Sequence, residues 1–143
     1  SCKGGNADGC AGLGRATVEG WGRPPDPKAG VALLEQACEK RSPKGCAWLA
    51  DCLERGRGVK ADMGRALEMM ERACLSGQAA CRGGQATLCQ RLGELHLEGR
   101  RAPKDEDRAL VFLKKACELG LGVACLQVDV VEESRTKKKG VQK

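Results

Sequence analysis

Three segments of this chain place apolar residues at the same helical spacing. They read GVALLEQAC (residues 30–38), RALEMMERAC (65–74) and RALVFLKKAC (108–117). In the second, Leu67, Met70, Ala73 and Cys74 fall on one stripe, as expected of an amphipathic helix with one buried face. Asp26, Asp62 and Asp105 each lie twelve residues before the closing cysteine (Cys38, Cys74, Cys117). An aspartate there can accept hydrogen bonds from the unpaired N–H groups of a first helical turn, so each is read as an N-cap. A second kind of helix follows a Gly-Cys or similar pair, in GCAWLADCLERG and LCQRLGELHLEG, and stops at a glycine (Gly56, Gly99) suited to a left-handed C-cap. Gly20 closes an earlier copy. The pattern is helix, turn, helix, repeated.

The repeat length is read from the cysteines. Cys2 to Cys38, Cys38 to Cys74, Cys10 to Cys46 and Cys89 to Cys125 are each 36 residues apart. Cys46 to Cys89 and Cys74 to Cys117 are each 43, one heptad more. The surplus falls in ACLSGQAACRGGQATLC (73–89), which nearly writes one heptad twice. Such an insertion either extends a helix by roughly two turns or loops out at a repeat junction. Small residues at Gly14, Ala50 and Gly93 recur at one helical position, where a neighbouring helix can approach closely.

The stretch LADCLERGRGVKADMGRALEMMERACLSG (49–77) resembles the Sel1-like repeat in its glycine spacing and in Asp62. With cysteines flanking the turns between repeats, the chain is similar to the cysteine-rich Sel1-like proteins typified by the Helicobacter cysteine-rich family. The resemblance covers Cys2 to about Val131. It departs at the consensus tyrosine, which is Thr17, Leu53 and His96 here. It implies an all-α fold, an α/α superhelical solenoid of disulfide-bridged helix-turn-helix repeats. The expected array is 1–131, with units 10–45, 46–88 and 89–124 and a capping helix 125–131, followed by a basic flexible tail 132–143.

The family also implies pairing of cysteines eight apart: Cys2–Cys10, Cys38–Cys46 and Cys117–Cys125. For Cys89 the heptad leaves two candidates, and Cys81, eight residues away, is preferred to Cys74 at fifteen. Cys52 and Cys74 then remain as a fifth bridge or as free thiols. The level of Cys52 on its helix faces the wrong end of the Cys74 helix for bonding, and Cys52 aligns with Leu95, as a buried thiol would.

Composition sharpens this picture. There are 10 cysteines in 143 residues but only Trp21, Trp48 and Phe112 as aromatics, with no tyrosine. Closing a short loop by a disulfide stabilises by roughly 2 to 3 kcal/mol, comparable to burying one large side chain, so bridges can stand in for missing aromatic core. Disulfides call for an oxidising space, so the expected location is extracytoplasmic (periplasm, cell surface or secretion), with the mitochondrial intermembrane space as alternative. No signal-like stretch stands at Ser1, and no apolar run is long enough to span a membrane. Cys2 reads as the late cysteine of a preceding helix, which implies chain upstream. Asp129, at the small-residue position, reads as the mark of a terminal cap.

Net charge is +6, and the tail from Glu132 carries half of it, so the repeats are nearly balanced. Nucleic acid binding, which wants a basic face with stacking platforms, is not expected; the tail can contact anionic surfaces. With no C-x-x-C and the single histidine His96, no metal site and no cofactor are expected. His96 stands at the tyrosine position, where a packed role is favoured over catalysis. Ser134 and Lys137 match S-x-x-K, but the partner motifs of β-lactamases are missing, so no catalytic residue is assigned. The expected function is a non-catalytic scaffold binding a protein or peptide on the concave face of the solenoid. Two alternatives follow from the resemblance: a penicillin-binding or weakly β-lactam-hydrolysing protein, and a redox or haem-handling assembly factor acting through Cys52, Cys74 or His96.

Overall fold

The structure, a computed structural model, describes residues 6–76 and 82–141. Among them are seven helices and no strand: α1 (Ala7–Glu19), α2 (Pro27–Glu39), α3 (Pro43–Arg55), α4 (Met63–Leu75), α5 (Arg82–Glu98), α6 (Glu106–Glu118) and α7 (Gly122–Val141). Two compact units, residues 1–81 and 82–143, make up the chain.

In the first unit α1 packs on α2, α2 on α3, and α3 on α4. The starts of α2 and α4 follow from their caps. Asp26 accepts from the Ala29 N–H at 3.2 Å, and Asp62 from that of Arg65 at 3.1 Å. The helices α1 and α3 have their caps three residues before their Gly-Cys pairs, at positions the periodicity does not flag. Asn6 caps α1 and Ser42 caps α3, each through a side-chain oxygen. At the far end Gly56 takes a left-handed φ of 72° and donates to Cys52 O, the C-cap geometry that glycine permits at least cost.

One backbone hydrogen bond closes the loop within each hairpin in the same way. The cap aspartate's own N–H donates to the carbonyl at the tyrosine position of the preceding helix: Asp26 to Thr17 at 2.9 Å, and Asp62 to Leu53 at 2.8 Å. In the second unit Asp105 repeats this to His96 at 3.0 Å. A backbone bond tolerates any side chain, so the repeat survives loss of its tyrosines.

Core formation follows the apolar stripes. Leu34, Leu49, Leu53 and Met70 are buried in the first unit, and Leu92, Phe112 and Leu113 in the second. On α4 the buried line runs through Ala66, Met69, Met70, Ala73 and Cys74, with Leu67 half-buried at its edge, a small rotation from the expected stripe. The small-residue position has a clear cause. A Cβ on Gly14 would come within 2.9 Å of Leu34 Cδ2 and 3.1 Å of Gly30 O, and one on Gly93 within 2.7 Å of Leu113 Cγ.

The surplus heptad lengthens α5. Shifting α3 by 43 residues would start α5 at residue 86, but it starts at Arg82 and runs 17 residues against 13. Residues 77–81 lie outside the described part.

Residues 132–141 of the expected tail are helical. α7 continues without a break from Gly122 to Val141, beyond the expected cap at 131. Arg135 meets Asp107 at 2.7 Å and Glu106 at 4.0 Å, and Lys138 meets Glu106 at 3.5 Å. Lys114 meets Glu132 at 3.0 Å. The tail's positive charge is thus placed against the acidic first turn of α6, so counting charge by segment misses its partner.

Candidate functional site

Within each unit, a side chain on the first helix of one hairpin meets the next first helix 33 residues later. In the first unit this contact is Arg15 of α1 over the Trp48 ring of α3, with the guanidinium carbon 4.9 Å from the ring centroid. In the second it is Gln127 Nε2 of α7 donating to Glu94 Oε1 of α5 at 2.8 Å, while Gln90 donates to Gln127 at 2.9 Å. Equivalent geometry therefore carries different chemistry in the two units. The side chains of this ladder form an exposed or half-exposed face, so its composition can vary without disturbing the core.

The Arg15 site is the most distinctive part of that face. Trp21, on the loop after α1, also lies under the guanidinium, 5.4 Å from centroid to Cζ. Trp21 is 59% exposed. Trp48 is half-buried because its inner edge packs on Cys10, Ala11 and Ala37. Both tryptophans of the chain thus converge on one cation. Nearby acids are engaged elsewhere: Asp51 pairs with Arg55 at 3.1 Å and Glu19 with Arg57 at 3.4 Å. In the sequence the two tryptophans register only as aromatic scarcity; the available signal was the spacing of Trp48, three residues short of a whole repeat from Arg15.

The cysteines divide as follows. Cys38–Cys46 joins the α2 end to α3, with Cα atoms 4.5 Å apart, and Cys117–Cys125 joins α6 to α7 at 4.8 Å. Cys10, Cys74 and Cys89 are also disulfide-bonded. Cys2 and Cys81, and with them the expected Cys2–Cys10 and Cys81–Cys89 bonds, lie outside the described residues. Cys52 is a buried free thiol, while Cys74 is disulfide-bonded. Burial pushes the Cys52 thiol up from its ordinary value, and the Asp51 carboxylate adds to the rise. A protonated, buried thiol is a poor nucleophile.

His96 is buried at 6% exposure, stacked on Phe112 with centroids 5.7 Å apart. Its Nδ1 lies 3.1 Å from Pro103 O. A carbonyl can only accept, so Nδ1 carries the proton and the ring fastens the α5–α6 loop. Ser134 and Lys137 are exposed on α7. A groove of about 430 Å³ flanks the Cys38–Cys46 bridge, edged by Glu39, Arg41, Arg72 and Leu75. Among the described residues no cluster of His, Cys, Asp and Glu is arranged to hold a metal, and no helix is long and apolar enough to cross a membrane.

The Sel1 repeat pattern matches residues 7–42, 43–78 and 88–121, beginning each of the first two repeats three residues ahead of the units expected from the cysteines. Similar solved structures include a Sel1 repeat protein from Oxalobacter formigenes, at 21% identity and a TM-score of 0.74 over 88% of this chain and 49% of that one. A protective antigen of uropathogenic Escherichia coli with the same repeat fold is 25% identical, at a TM-score of 0.72 over 88% of this chain and 26% of that one. Helicobacter pylori cysteine rich protein B is 29% identical, at a TM-score of 0.62 over 87% of this chain and 84% of that one. The chain spans about half the length of the first of these and about a quarter of the second. No match is found among curated proteins.

Proposed function

We propose that this chain, which belongs to the Sel1 repeat family, is a disulfide-stapled scaffold that binds a protein or peptide on a face that first helices of its hairpins form within a unit. The observation that carries this reading is the ladder on that face. Cysteine recurs on its buried side at Cys10, Cys46 and Cys89, while its outward side changes from Arg15 over Trp48 in the first unit to Glu94 with Gln127 in the second. Repeat arrays use such a division of labour: packing residues define the frame and surface residues select the partner. Binding of this kind needs no nucleophile and no cofactor.

The Cys38–Cys46 and Cys117–Cys125 bridges support an oxidising, extracytoplasmic setting, because reducing compartments keep such thiols apart. Similarity to a Helicobacter cysteine rich protein supports the same setting.

The test is capture from a native envelope extract by the immobilised oxidised chain, with a reduced and unfolded chain as control. A partner retained by the folded chain alone is the expected result. Equal retention by both forms would remove the case for a folded binding face.

A further inference from the structure

We infer that Arg15, held between Trp21 and Trp48, is a receptor for a glutamate or aspartate side chain of an extended acidic peptide. The inference rests on the scaffold reading and names the chemistry of its partner.

Three observations lead there. Arg15 is exposed, and its contacts are the two indole rings. An indole is a donor and offers no conventional acceptor, so the guanidinium is positioned without its N–H groups being used. The neighbouring carboxylates Asp51 and Glu19 are bound to Arg55 and Arg57, which leaves the Arg15 charge unneutralised. A planar guanidinium with free in-plane donors matches a carboxylate through two parallel hydrogen bonds.

The source we assign is an internal acidic side chain of a peptide, with a chain-end carboxylate as the competing outcome of the test. The single unpaired charge of Arg15 decides the class of ligand. Arg15 between two indoles suits one carboxylate, whereas single-stranded nucleic acid binds along an extended positively charged groove. Pre-organisation by two rings also lowers the side-chain entropy lost when the arginine binds.

Both tryptophans of the chain sit in this site and there is no tyrosine, so intrinsic fluorescence reads it directly. The probe is a hexapeptide with two glutamates, acetylated at one end and amidated at the other, titrated into the intact oxidised chain beside its glutamine counterpart. The expected result is saturable change in tryptophan emission with the glutamate peptide and none with the glutamine peptide. Arg15→Gln should weaken binding at least tenfold with an unchanged helical circular dichroism signal. Arg15→Lys, which keeps the charge and loses the planar fork, should fall between.

Equal binding by the glutamine peptide, or by the Arg15→Gln variant, overturns the inference. So does binding confined to peptides with a free terminal carboxylate, or tighter binding of a single-stranded oligonucleotide. If Arg15→Gln captures the same envelope protein as the unaltered chain, the Arg15 assignment fails while the scaffold reading stands.

Discussion

Arg41 sits in the turn between α2 and α3 with a φ of 66°, in the left-handed region where a side chain crowds its own backbone. The corresponding turn before α7 uses Gly120, at a φ of 101°. Both turns make the same pair of backbone bonds, Arg41 to Cys38 O and Ser42 to Ala37 O in one, Gly120 to Cys117 O and Leu121 to Ala116 O in the other. Replacing Arg41 by glycine should therefore stabilise the fold by about 1 kcal/mol, read as a higher urea midpoint with unchanged slope. Cys52 gives a second expectation at this scale. Its raised thiol value means that the unfolded chain loses the proton first as pH climbs. Its contribution to stability is thus fully present below the unfolded value of about 8.5 and is lost above it, as pH rises toward the folded value. Iodoacetamide at neutral pH should label Cys52 far more slowly in the native chain than in urea, and equal rates would contradict the burial.

Individual helices show how little of their termini was hidden from a sequence reading and how much of their faces was. Asp26, Asp62 and Asp105 are legible because a cap acts within three residues of itself, and each bonds as its position requires. Asn6 and Ser42 are as effective, yet no repeated letter marks them. Small residues at the crossing position are legible as a recurrence, whereas the contact they relieve is not. Gly14→Ala should destabilise by roughly 1 to 3 kcal/mol through overpacking against Leu34 and the Gly30 carbonyl. Gly12→Ala, two residues away and facing open space, should stabilise by up to about 1 kcal/mol. Thermal melts of the two variants should move in opposite directions. At α7 the acidic turn of α6 holds Arg135 and Lys138. Neutralising Glu106 and Asp107 together should speed amide exchange over residues 134–141 and leave 122–130 unchanged.

For the whole molecule, covalent links join the hairpins at their turns. Each bridge between cysteines eight apart contributes roughly 2 to 3 kcal/mol by chain entropy, so reducing Cys38–Cys46 and Cys117–Cys125 together should cost about 5 kcal/mol. That is a large part of the stability of an ordinary domain of this size. A reductant should lower the melting temperature by well over ten degrees, scaled from the few degrees expected per kcal/mol. An unchanged melt would show that apolar packing alone suffices.

Periodicity, caps and cysteine spacing were determined by the sequence itself, because each acts over a few residues or recurs at a constant interval, and local chemistry is written where it acts. The tertiary structure decided which side chains from different repeats share a space. Arg15 meets Trp21 and Trp48, and the basic end of α7 meets Glu106 and Asp107. Likewise Cys74 is bridged while Cys52 stays free. Each of these depends on helix rotation and packing depth, and a shift of one residue changes the direction of a side chain on a helix by about 100°. Such outcomes exist only after the hairpins have packed.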